Sequence, residues 1–184
     1  MLTSPHASRG LGAAYGMRLV PAASPLSLAL LGFSAIAAFA AALTGALANA
    51  TAIPEWYDTL RKPGFTPPNA AFPIVWPILY ALIAFSGWRL LRVAAAEGDL
   101  RPVGLALLAF VGQLCLNAGW SWAFFGARAP FFGLVVIVLL DLAVLDTIRR
   151  AWSLDRPAAL ALLPYLAWIL FATALNASIW WLNR

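Results

Sequence analysis

Five predominantly apolar stretches constrain this chain more than any other feature. They run over 26–49, 72–93, 103–125, 131–150 and 157–182. About twenty helical residues cross the hydrocarbon of a bilayer, whereas a membrane barrel strand needs only about nine to eleven. Strict apolar–polar alternation is absent, so helices are expected rather than strands. The predicted fold is an all-α membrane protein, a five-transmembrane-helix bundle over residues 25–184. Composition agrees, since 63% of the chain is hydrophobic and 10% is charged. Soluble domains carry about 25% charged residues. A separate soluble catalytic module has no room here.

The lead, residues 1–24, is weakly polar and is expected to be disordered. A cleaved signal peptide would need an apolar core of about 7–15 residues, and the stretch 26–49 is too long for that. Met17 is a second possible start. The net charge of +5 is not a nucleic-acid signal, because the basic residues sit in short connections where they orient helices. Arg9, Arg18, Arg89, Arg92, Arg101, Arg149, Arg150 and Arg156 fall on one side. Arg61, Lys62, Arg128 and Arg184 fall on the other. That bias predicts a cytoplasmic N-terminus in a bacterial inner (plasma) membrane, with an outer membrane left open. Cys115 is the only cysteine, so no internal disulfide can form.

The connection 50–71 is unusual for a loop. With the start of the next helix it holds Trp56, Tyr57, Trp76 and Tyr80, the only lysine, Lys62, and the prolines 63, 67, 68, 73 and 77. Proline fixes its own φ and restricts the preceding residue. The loop is therefore expected to hold one shape and to act as a lid, built from Trp56, Pro63, Gly64, Phe65, Pro67 and Pro68.

Helical wheels sort the side chains further. Phe72, Trp76, Tyr80 and Ile83 share one side of the second helix. Gln113, Asn117, Trp120 and Phe124 share a face of the third, and Tyr165, Trp168, Ala172, Leu175 and Ile179 line up on the fifth with Asn176 at the edge. Amides inside a membrane need partners, so Gln113 and Asn117 are either interhelical glue or ligand contacts. Trp88, Trp152, Trp180 and Trp181 lie near helix ends and read as interfacial belt residues. Gly112, Cys115, Gly119 and Ala123 form a small-residue stripe, suited to packing within the monomer or to a dimer. Asp141 lies mid-span, with pairing or protonation inside the bundle and a ligand role both open. Pro164 should bend the fifth helix.

No phosphate loop, nucleophile–base pair or metal-ligand spacing appears, and His6 is the only histidine. Tight iron ligation is unsupported. A flat, metal-free aromatic ligand suits stacked rings and amides better. No cofactor and no nucleic acid are expected, and membrane lipid is the surrounding partner.

Three stretches carry a resemblance. WYDTLRKPGFTPPNAAFPIVWPILY, QLCLNAGWSWAFF and PYLAWILFATALN, in that order, are similar to the tryptophan-rich sensory protein/translocator protein family, known in animals as the peripheral benzodiazepine receptor. The similarity covers about residues 26–183. It implies a five-helix bundle, commonly a homodimer, that binds porphyrins such as protoporphyrin IX and haem. Animal members also bind cholesterol and benzodiazepine-type ligands. Bacterial members are implicated in tetrapyrrole-linked and stress responses, and some promote light-dependent porphyrin breakdown. The resemblance implies a site under the first loop, between helices one, two, three and five. Its contacts would fall on Tyr57, Trp76, Tyr80, Asn117, Trp168, Ala172 and Leu175. Trp76 and Trp168 stand where the proposed photochemical tryptophans stand. Two departures are visible: Gly64 replaces a bulky or polar residue, and Ala177 replaces the tyrosine of the animal sterol motif. Three functions follow as expectations, namely a porphyrin sensor or carrier, a light- and oxygen-dependent porphyrin-degrading enzyme, and a small-ligand transporter. The lack of an inverted repeat argues against the third.

Overall fold

The computed structural model describes residues 19–97 and 101–184. Most of the N-terminal lead, with Arg9 and His6, lies outside the described residues. Five helices make up the bundle: α1 (Pro25–Glu55), α2 (Phe72–Glu97), α3 (Arg101–Ser121), α4 (Pro130–Leu154) and α5 (Arg156–Leu182). Each forms all or most of a span of 24 to 28 residues long and apolar enough to cross a membrane, the second span including the 3-10 turn before α2 and the third the turn after α3. Their outward sides stay apolar, with Ile36 70% and Leu108 68% exposed. In water such a surface would drive aggregation; in hydrocarbon it is the matching solvent.

The helices neighbour one another in a closed ring, α1–α2–α5–α4–α3 and back to α1. Short turns make α3, α4 and α5 sequential neighbours. Ile83, Leu90, Leu140, Val144, Leu162 and Tyr165 fill the centre and are fully buried.

Helix ends carry identifiable signals. Ser24 caps α1 by accepting from the Ser27 N–H, with Pro25 in the first turn. Asp155 caps α5 through the Ala158 N–H, with a proline again in the first turn. Such caps satisfy amide groups that would otherwise lack partners. The same Asp155 carboxylate holds the Arg89 guanidinium of α2 at 2.8 Å. One residue thereby ties α2 to the α4–α5 turn. Trp88 donates to the Ser27 carbonyl at 2.9 Å, so it is a cross-link between α1 and α2 as well as a residue near a helix end. Arg92 donates to the Val20 carbonyl and lies over the Trp88 ring, anchoring the segment before α1.

Several helices outrun their sequence limits. α1 continues from the expected 49 to Glu55, α2 from 93 to Glu97, and α4 from 150 to Leu154. The apolar run ends where hydrocarbon should end, but backbone hydrogen bonding continues into the interface. Residues 50–55, read as loop, are thus the last turn and a half of α1. The loop proper spans residues 56–71 and contains two short 3-10 turns, Tyr57–Thr59 and Asn69–Ala71. α3 ends in a π turn, Trp122–Gly126, closed by the Ala127 N–H on the Trp122 carbonyl at 2.7 Å. Arg128 then adopts φ 53° and stops the helix.

The small-residue stripe of α3 divides. Gly112 has open space around it and Cys115 is exposed, so both face outward. At Gly119, by contrast, an added Cβ would come 3.9 Å from Val136 Cγ1 on α4. Close helix packing inside the monomer therefore does not use Gly112 or Cys115. Asp141 accepts from the Thr173 hydroxyl at 2.8 Å and joins α4 to α5.

Candidate functional site

A cavity of about 1050 Å³ opens inside the ring beneath the loop. Small-molecule sites typically occupy about 300–1,000 Å³. Its walls come from α1, α2, the end of α3 with its π turn, and α5; α4 contributes nothing. A shallower groove beside Pro63 and Trp181 encloses little.

The space exists because α1 supplies so little side-chain volume. Ala38, Ala42, Gly45 and Ala46 recur at helical spacing and present a flat wall. Gly45 also lets α1 approach α3, since a Cβ there would come 3.0 Å from Ser121 Oγ. Opposite this wall stand the large rings. Trp76 and Tyr80 stack at 5.4 Å between centroids, and Phe72 meets Trp168 edge-on at 6.0 Å. Trp120 stacks on Phe124 at 5.8 Å and donates its N–H to Asn176 Oδ1 at 3.2 Å. Asn176 in turn donates to the Pro130 carbonyl at 2.8 Å. The π turn brings two consecutive rings, Phe124 and Phe125, inward together, and both are buried. Gly133 makes room for this, because a Cβ there would sit 2.9 Å from Phe124 Cβ.

Six of the seven expected contact residues line the cavity: Tyr57, Trp76, Tyr80, Trp168, Ala172 and Leu175. Asn117 does not. It lies behind the wall, accepting from the Tyr80 hydroxyl at 2.7 Å and donating to the Tyr165 hydroxyl at 3.0 Å. Tyr80 covers it, so Asn117 acts on the site by fixing the Tyr80 ring. Asn117→Leu should lower stability by about 1–3 kcal/mol, because it strands a buried hydroxyl on Tyr165. Tyr80→Phe should cost less, since Asn117 keeps its bond to Tyr165. Thermal midpoints in detergent would check the order. Gln113, on the same wheel face, is fully buried, and its amide has no partner among the described residues.

None of Trp56, Pro63, Gly64, Phe65, Pro67 or Pro68 lines the cavity. Trp56 packs on Phe124 at 5.6 Å, and Phe65 packs on Phe171 at 6.1 Å. The loop is fastened to the end of α5, where Asn183 accepts from the Arg61 N–H at 3.0 Å and donates to the Arg61 carbonyl at 2.9 Å. Gly64 is exposed, with nothing near the Cβ it lacks. The roof over the cavity is instead Tyr57, wedged against Phe124 and Phe125. Lys62 Nζ lies 4.5 Å from the centroid of its ring. Burial, and next the Asp58 carboxylate, raise the Tyr57 pKa, so this phenol keeps its proton at neutral pH.

Sequence reasoning set helix one beside the site but named none of its residues. Its Ala/Gly periodicity ending in Asn49 was the available signal. The Asn49 Oδ1 is buried with no partner among the described residues, on a residue of the cavity wall. No charged side chain among the described residues lines the cavity. Among the described residues there is also no cluster of three or more His, Cys, Asp or Glu that could hold a metal.

Comparison with known proteins decides the lineage. The TspO/MBR family description matches residues 33–182.

The chain belongs to the TspO/MBR family.

Protein CrtK of Rhodobacter capsulatus is 39% identical over 158 residues, covering 86% of this chain and 95% of that protein. The tryptophan-rich protein TspO of Chlorobaculum tepidum is 41% identical over 128 residues, or 70% of this chain and 79% of the relative. The human translocator protein is 34% identical over 126 residues, 68% of this chain and 73% of the relative. With five apolar helices of spanning length, this TspO/MBR protein is a multi-pass integral membrane protein. The cavity therefore lies within a bilayer.

Proposed function

We propose that this chain is a membrane sensor or carrier that binds porphyrin-type tetrapyrroles, protoporphyrin IX above all. The observation that carries the reading is the cavity itself: large, neutral, flat on its α1 side and walled by Trp76, Trp120 and Trp168 elsewhere. Flat aromatic ligands gain from offset stacking and edge contacts with such rings. A site without charges cannot hold a ligand's carboxylates, since an unpaired buried charge is strongly disfavoured. The acid groups of a porphyrin would therefore project toward the loop, where Lys62 stands over Tyr57. The bias of basic residues supports an inner-membrane orientation with this loop outside. The outward-facing Gly112 and Cys115 leave α3 free to meet a second copy.

Titration with protoporphyrin IX, read by quenching of tryptophan fluorescence, tests the proposal. Trp76→Phe and Trp168→Phe should each weaken binding roughly tenfold, the equivalent of about 1.4 kcal/mol. Unchanged affinity in both variants would remove the site. The same two indoles support a photochemical reading. A new absorbing product under illumination, lost in both variants and absent without protein, would distinguish turnover from binding alone.

A further inference from the structure

We infer that the cavity is reached sideways, from the hydrocarbon of the bilayer, through a gap between α1 and α2. The inference takes its cargo from the function proposed above, but the gap is a property of the helices alone.

Exposure along the cavity wall is uneven. The lining residues of the π turn and of the α5 end, Phe124, Phe125, Leu175 and Ile179, are buried. The exposed ones within the spans lie on α1 and on α2 with the turn that leads into it: Ala35, Phe39, Ala46 and Ala50 on one side, Asn69, Pro73, Pro77 and Ala81 on the other. All but Asn69 are apolar. Phe39 and Ala81 fall near the middle of spans that run over Pro25–Ala50 and Asn69–Ala96. The opening therefore reaches the depth of acyl chains.

The shape has a cause. α1 and α2 are clamped together at the end away from the loop. Gly87 lacks the Cβ that would overlap Ser34 Oγ, and Ser34 donates to the Ala84 carbonyl at 2.8 Å. Trp88 adds its bond to Ser27. Toward the loop no such clamp joins the two helices among the described residues. Pro77 cannot donate a backbone hydrogen bond, and the facing side chains are mostly alanine and proline. Two helices pinned at one end and thinly furnished at the other leave a slot.

The way over the top is shut by comparison. Asn183 holds Arg61 from both sides, Phe65 rests on Phe171, and Tyr57 is buried under the loop. A ligand passing there must break all three, whereas Phe39, 66% exposed, is the one large side chain among the exposed residues that line the slot. The loop is thus a fixed roof, and the ligand class is one already dissolved in the membrane.

Vesicles containing phosphatidylcholine brominated at mid-chain test this without any ligand. The Trp76 contribution, taken as wild type minus Trp76→Phe, should be strongly quenched by the bromines. Ala46→Phe with Ala81→Phe should reduce that quenching. With protoporphyrin preloaded in the bilayer, the same pair should slow association tenfold or more, whereas Asn183→Ala should leave the rate unchanged. An unquenched Trp76 in the wild-type protein would overturn the inference, as would faster binding in Asn183→Ala with normal rates in the filled slot. If Trp76 is quenched and protoporphyrin does not bind, the lateral opening stands and the porphyrin reading falls.

Discussion

Asp155→Ala is expected to be among the most damaging single substitutions in the bundle. The side chain performs two tasks with one carboxylate. It accepts from the Ala158 N–H at 3.0 Å as the cap of α5, and it pairs with Arg89 through both oxygens, each 2.9 Å from Nε. The Asp155 side chain is only 3% exposed and that of Arg89 19%. A surface pair would contribute at most about 1 kcal/mol. Here, removing one partner leaves a guanidinium largely out of water, which typically costs about 3–5 kcal/mol, and the lost cap adds roughly 1 kcal/mol. Asp155→Asn keeps the capping oxygen and removes the charge, so it should fall between wild type and alanine. Thermal unfolding of the detergent-solubilised protein would rank the three. Equal midpoints for wild type and Asp155→Ala would refute the assignment.

Gly87→Ala is expected to have the second large effect, by overpacking rather than loss. The new Cβ would overlap Ser34 Oγ and lie 2.5 Å from Phe110 Cζ. Ser34 and Phe110 are 2% and 5% exposed, so neither has space to retreat into. Overpacking of this kind costs about 1–3 kcal/mol. The strain would fall on the clamp that joins α1 to α2, so the variant should also alter the slot above it. A lower midpoint together with increased bromolipid quenching of Trp76 is the expected pair of results. A midpoint equal to that of wild type would show that the helices can part there without cost.

The helices were legible because spans of about twenty apolar residues admit few alternatives in a bilayer. Their ends were less so. Hydropathy marks where hydrocarbon stops, whereas a helix stops where its hydrogen bonds do, and α1 runs on to Glu55. The aromatic walls were legible through periodicity, since Trp76, Tyr80, Trp168 and Leu175 project from faces that do converge. Asn117 shares its wheel face with Trp120, but a wheel cannot reveal that Tyr80 covers it. Helix one was placed at the site, but its residues could not be named, because alanine is ordinary in any membrane helix; only its placement opposite the rings gives it meaning. The π turn left no recognisable mark in WAFFG, although it decides where Phe124 and Phe125 point. The loop's prolines suggested a fixed shape, but not what that shape packs against. The loop is a roof clamped by Asn183, at the far end of the chain, a partner that local sequence could not name.

The absence of charge from the cavity wall has an electrical consequence. Shifting one elementary charge across a membrane potential of 100 mV involves about 2.3 kcal/mol. An occupant whose neutral rings lie among Trp76, Trp120 and Trp168, with its acid groups left at the loop, moves almost no charge through that field. Occupancy should then be indifferent to membrane voltage. Energising or collapsing the membrane would leave the bound fraction where ligand concentration alone had set it.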